Sequence, residues 1–136
     1  MNVLLRLLIG PGELPEGLRE ELRAEGAVVL EEGLSGSLTH RSYRAPGRRV
    51  SWKRSAVSGA VAVTRRRLLV RVGGATNIDV PLDGPRRSAI EVVAETPDRV
   101  RFTYDAATFH DDRTGQVEVR LRTPKATHIA KALRPD

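Results

Sequence analysis

Four stretches of this chain alternate apolar and polar residues with a period of two, and this restricts the fold more than any other feature. Val100, Phe102 and Tyr104 alternate with Arg99, Arg101 and Thr103, and Val117, Val119 and Leu121 alternate with Glu118, Arg120 and Arg122. Ile78, Val80 and Leu82 flank Asp79 and Pro81, while Leu68, Val70 and Val72 alternate with Leu69 and Arg71. Successive strand residues point to opposite faces, so each run offers one face to a core and one to water, the mark of antiparallel sheet. Turn-forming residues separate the runs: Gly73–Gly74, Asp83–Gly84–Pro85, Thr96–Pro97–Asp98 and the segment Asp111 to Gly115. At 136 residues the chain is long enough for one domain with a real core.

The period lengthens at both ends. Leu14, Leu18 and Leu22 recur every four residues, with Pro15 suited to a first helical turn and Gly26 to a stop. This predicts a short helix over 14–25 in an N-terminal extension, 1–32, packed on the domain. Near the other end, Ala126, Ile129, Ala130 and Leu133 form one apolar face, behind Thr123 as a cap and Pro124 at the first helical position. This predicts a helix over 124–134. The expected class is mainly β (α+β): about seven short strands, curled or split into two layers, with the terminal helix as a plug. The apolar stretch Val3 to Ile9 is too short to span a bilayer and is interrupted by Arg6, so it reads as a first strand or short helix, ahead of a hinge at Gly10–Pro11–Gly12.

The segment Gly59–Ala60–Val61–Ala62–Val63–Thr64–Arg65–Arg66–Arg67–Leu68–Leu69–Val70 resembles the strand–turn–strand core of bacterial domains of the pleckstrin-homology-like (PH-like) superfold. Thr123–Pro124 opening the last helix is similar too. The resemblance runs from about Gly33 to Leu133, within a domain taken as 33–136. It implies a seven-stranded, two-sheet barrel whose end is closed by the C-terminal helix, and a scaffold that binds phosphoinositides, peptides or other proteins. The lipid-binding signature of the superfold is matched as a string by Lys53, Arg65 and Arg67. As a strand, Ala56 to Thr64 is roughly 25 to 30 Å long, which puts Lys53 and Arg65–Arg67 at opposite ends. The better candidate is the loop Arg44–Ala45–Pro46–Gly47–Arg48–Arg49 with Lys53 and Arg54 beside it. The turn Asp111–Asp112 shares that rim in this reading and opposes an anion.

Charge is segregated. From Gly33 to Ile78 there is no acid and there are ten bases, whereas Glu13 to Glu32 holds seven acids against Arg19 and Arg23. A one-signed field attracts anionic partners or an acidic protein face. Trp52 lies within Arg48–Arg49–Val50–Ser51–Trp52–Lys53–Arg54, a pattern that suits an anionic membrane interface, unless Trp52 is a core residue. The site residues selected are therefore Arg44, Arg48, Arg49, Trp52, Lys53 and Arg54. Catalysis is not expected: His40, His110 and His128 have no metal-ligand spacing, Ser55 and Ser58 have no base nearby, and no phosphate loop opens a helix. No metal, cofactor or small-molecule substrate is implied. Cysteine is absent, which suits a reducing compartment, so the expected location is cytoplasmic, with the inner face of the membrane as a peripheral site. The expected function is a non-catalytic binding module for protein interaction or self-assembly, the acidic and basic segments being complementary. The alternative is peripheral binding to anionic lipid headgroups through 44–54. Nonspecific nucleic-acid binding comes last, because stacking aromatics are scarce: two Phe, two Tyr and one Trp.

Overall fold

The computed structural model describes residues 12–134. The stretch Val3 to Ile9 and the hinge residues Gly10 and Pro11 lie outside the described residues. Helix α1 spans Glu16–Ala24. Seven strands follow: β1 Val29–Ala45, β2 Arg48–Val63, β3 Arg67–Val72, β4 Ala75–Pro81, β5 Glu91–Thr96, β6 Arg99–Asp105 and β7 Thr114–Arg122. A short 3-10 turn, Pro85–Ala89, joins β4 to β5, and helix α2 spans Ala126–Ala132.

All seven strands are antiparallel neighbours in one sheet of order β4-β3-β2-β1-β7-β6-β5, curled into a half-barrel. Of the two arrangements expected, a curled sheet or a split into two layers, the structure has the curled one: a single continuous sheet in which the long strands β1 and β2 serve both halves. Bulges bend β1 between Glu31 and Leu34, where Gly33 has φ 66°, and between Arg41 and Arg44, where Ser42 has φ 51°.

The concave face buries Val61, Val63, Leu68, Val70, Ile78, Val80, Val100, Phe102, Val119 and Leu121. Every alternating run identified in the sequence contributes its apolar set to this core. Ala126, Ile129 and Leu133 of α2 pack into the same core, so the terminal helix fills the curl. It begins two residues later than expected. Pro124 and Lys125 form a turn, and the Thr123 hydroxyl accepts from the Lys125 amide (3.1 Å) while donating to Glu31 Oε1 (3.2 Å).

A second, smaller core lies on the other face. Leu14 and Leu22 bury Ala60, Ala62 and Leu69, with Leu18 and Leu30 at its margin. This explains why Ala60–Val63 and Leu68–Val70 are apolar on both faces: α1 covers one and the main core the other. Ion pairs fasten the helix. Arg67 reaches Glu21 (3.1 Å), Glu25 (3.0 Å) and Asp79 (3.2 Å), and Arg19 grips Glu32 through two nitrogens, each at 2.9 Å. Gly26, with φ 80°, ends the segment in the left-handed region that glycine adopts without strain.

Candidate functional site: a projecting basic hairpin

The sequence from Arg44 to Arg54 is a hairpin, not a loop. Its turn is Pro46–Gly47, and Ala45 pairs directly with Arg48, Arg44 with Arg49, Tyr43 with Val50 and Arg41 with Trp52. Gly47 has φ 69°, the conformation a tight turn asks of glycine. On one side β1 pairs with β7 only as far as Arg44, opposite Thr114. On the other, β3 pairs with β2 only over Gly59–Val63. The stem and tip of the hairpin therefore project past the neighbouring strand β3.

This geometry divides the selected residues. Arg44, Arg48 and Arg49 are at the tip. Lys53 faces the side of its pairing partner His40, while Trp52 and Arg54 lie on alternate positions that face the other way, with Arg41 and Thr39 as their partners. Arg54, about seven residues from the turn, is some 20 Å from the tip at strand rise. It joins a different group of arginines on the sheet surface. Asp112 pairs with Arg113 (3.5 Å), just before Thr114 meets Arg44, so the acidic turn borders the hairpin as expected.

Trp52 is 57% exposed, and its indole is not part of either core. Among the described residues, Arg44, Arg48, Arg49, Lys53 and Arg54 make no ion pair, whereas Arg19, Arg41, Arg67, Arg99, Arg101, Arg113 and Arg120 all do. Arg48 instead stacks its guanidinium over Tyr43, 5.9 Å from the ring centre. His40 meets Tyr43 edge to face at 4.6 Å. Burial, and then the charges of Arg48 and Lys53, hold the His40 imidazole below its ordinary value of 6.5, which favours the neutral ring. The field of the hairpin is thus felt inside the stem.

Part of the complementary acidic segment is engaged within the molecule: Glu21 and Glu25 pair with Arg67, and Glu32 with Arg19. Of the run Arg65–Arg66–Arg67, only Arg67 takes part in these pairs among the described residues. No group of three or more metal-ligating side chains is present among the described residues, and none of their helices is long and apolar enough to cross a membrane. Comparison with protein-family models, with curated proteins and with solved structures gives no match.

Proposed function

We propose that this chain is a non-catalytic binding module on a PH-like scaffold, and that its β1–β2 hairpin docks an anionic membrane surface. Seven antiparallel strands curled around a terminal helix support the scaffold reading. The exposure of Trp52 carries the membrane reading. A core residue at that position would remove the interfacial indole, whereas a half-exposed ring among unpaired bases supplies both the aromatic anchor and the charge. Bases near an anionic surface contribute about 1 kcal/mol each, so Arg44, Arg48 and Arg49 at the tip, with Trp52 on the stem, supply salt-sensitive attachment without a closed pocket.

The test is co-sedimentation of the full chain with phosphatidylserine vesicles and with neutral vesicles over a salt series. Binding to the anionic vesicles alone, weakening as salt rises and lost in both Trp52→Ala and an Arg48→Gln/Arg49→Gln/Lys53→Gln variant, is the expected result. Absence of binding at low salt refutes it. A second reading, protein interaction or self-association, draws on the two edge strands β4 and β5, each of which is paired on one side only among the described residues. Light scattering of the isolated chain tests the self-associating form, and a strict monomer at all concentrations removes it.

A further inference from the structure

The surface of β2, β1, β7, β6 and β5 opposite the main core carries six arginines and three glutamates within one strand-to-strand patch. Arg41 and Arg120 hydrogen-bond Glu118 at 2.5 and 2.7 Å. Arg99, Arg101 and Arg120 converge on Glu95 at 3.2, 3.3 and 3.1 Å, and Arg101 also takes Glu91 at 2.7 Å. Burial pushes the Glu118 carboxyl up, and its bonds from Arg41 and Arg120 outweigh this, holding it below the usual carboxylate range. All three glutamates are therefore committed. Arg54 and Arg122 complete the set and have no ion pair among the described residues. The next acid, Asp98, feels Arg122 and Arg99 only at a distance, and its carboxylate is taken by the Thr96 hydroxyl at 2.6 Å.

The register makes this imbalance local. Arg101 stands directly opposite Arg120, and Arg99 directly opposite Arg122. Like charges in such positions are destabilising. Glu95 bridges the first pair, whereas the second pair has Glu95 on Arg99 alone. Beside Arg122 the surface sinks into a depression of about 210 Å³ lined by Arg54, Arg99, Arg120, Arg122, Ser35 and Ser37, with Gly36 between the serines. Ser37 is 7% exposed, and its hydroxyl has no hydrogen-bond partner among the described residues. A buried hydroxyl left unpaired costs about 1–3 kcal/mol, and Ser37 lines the same depression as four arginines. The missing partner and the missing counter-charge coincide.

We infer that this depression is a binding site for a phosphate-class oxyanion, held by Arg54, Arg99, Arg120 and Arg122 with the Ser37 hydroxyl as a further donor. Guanidinium groups present paired N–H donors that match the oxygens of a phosphate, and charge-assisted bonds of this kind are the strong ones. An anion here neutralises Arg122, relieves its repulsion with Arg99 and satisfies Ser37. The site is separate from the hairpin tip and does not rest on the membrane reading. Free phosphate and the phosphomonoester of a lipid headgroup share the chemistry, and the experiment separates them.

Inorganic phosphate is titrated into the full chain against sodium chloride of matched ionic strength, read by thermal unfolding and by backbone amide NMR shifts. The expected result is a saturable rise in melting temperature with shifts centred on Ser35 to Ser37 and Arg120 to Arg122. Arg122→Gln weakens binding by about tenfold or more, as loss of a charged donor does, and raises the stability of the phosphate-free protein by removing the like-charge pair. Ser37→Ala weakens binding less, and Arg48→Gln/Arg49→Gln leaves it unchanged. Vesicles carrying a phosphomonoester lipid, mixed with the Arg48→Gln/Arg49→Gln/Lys53→Gln chain so that the hairpin does not hold it to the surface, then identify the source. Displacement of bound chain by inorganic phosphate assigns the site to headgroups, and phosphate binding without displacement assigns it to a soluble ligand. Phosphate effects that match chloride, or that survive undiminished in Arg122→Gln, overturn the inference.

Discussion

Replacing Arg67 with Gln isolates what the charge segregation contributes to the fold. The Arg67 side chain is 18% exposed and meets three carboxylates. The contact with Glu25 is the valuable one: that side chain is also 18% exposed, and it receives both Nε (3.1 Å) and Nη2 (3.0 Å) of Arg67. A part-buried hydrogen bond between charged groups contributes about 1.5–3 kcal/mol. Glu21 and Asp79 are 60% and 43% exposed, so water screens them, and each adds about 0–1 kcal/mol. Arg67→Gln leaves Glu25 with only the Thr64 hydroxyl, at 3.1 Å, and the expected loss is about 2–3 kcal/mol. Because Arg67 ties α1 to the sheet, the loss is expected first as release of the helix. The assay is urea unfolding followed by far-ultraviolet circular dichroism, since exposed Trp52 is a poor fluorescence reporter. Amide exchange over Glu16–Ala24 accompanies it. The neighbour Arg66, exposed and without an ion pair among the described residues, is the control, and Arg66→Gln is expected to change stability by less than about 0.5 kcal/mol. A loss below about 0.5 kcal/mol for Arg67→Gln, or equal losses for both variants, would refute the reasoning.

Gly36→Ala is expected to cost about 3 kcal/mol or to prevent folding, because a Cβ there overlaps the backbone carbonyl of Arg120 and neither strand of that ladder can give way; soluble yield and melting temperature report it. His40, whose folded value is depressed, binds its proton more readily in the unfolded chain. Stability is therefore intact above the ordinary value of 6.5 and falls as pH drops from there towards the lower folded value, and His40→Gln flattens that decline in a melting-temperature profile from pH 7.5 to 5.

The parts of the fold that show in the sequence are those where one face is wet and the other dry. Val100, Phe102 and Tyr104 alternate because their sheet has one core face there, and Ile129 and Leu133 follow helical spacing for the same reason. Where that asymmetry fails, so does the pattern. Leu69, Ala60 and Ala62 break the alternation because α1 covers the second face. Arg44 to Arg54 has no alternation because most side chains on both faces of the projecting hairpin are exposed, only Ala45 and Val50 resting on the core, so a strand reads as a loop there. Glu118 sits among polar positions and is nonetheless 4% exposed, sealed by the long side chains of Arg41 and Arg120. The tip residues Arg44, Arg48 and Arg49 were legible as a group because they are close along the chain. Arg54, Arg99, Arg120 and Arg122 come from three strands, and only the register brings them together. Nothing in the spacing of 54, 99, 120 and 122 announces it.

The ladder from Gly36 to Arg44 against Leu121 to Thr114 is the one run of backbone pairing, among the described residues, that joins the chain before the Gly84 turn to the chain after it. Each half keeps its own meander of consecutive hairpins, yet neither possesses a complete interior, because the first lacks Phe102, Val119 and Ile129 and the second lacks Val61, Leu68 and Ile78. Severing the peptide at Gly84 leaves every one of those cross-strand bonds untouched. The two fragments are thus complementary halves, expected to reassemble when mixed, and the depression lined by Ser35 to Ser37 and Arg54 of one and Arg99, Arg120 and Arg122 of the other forms only when they do.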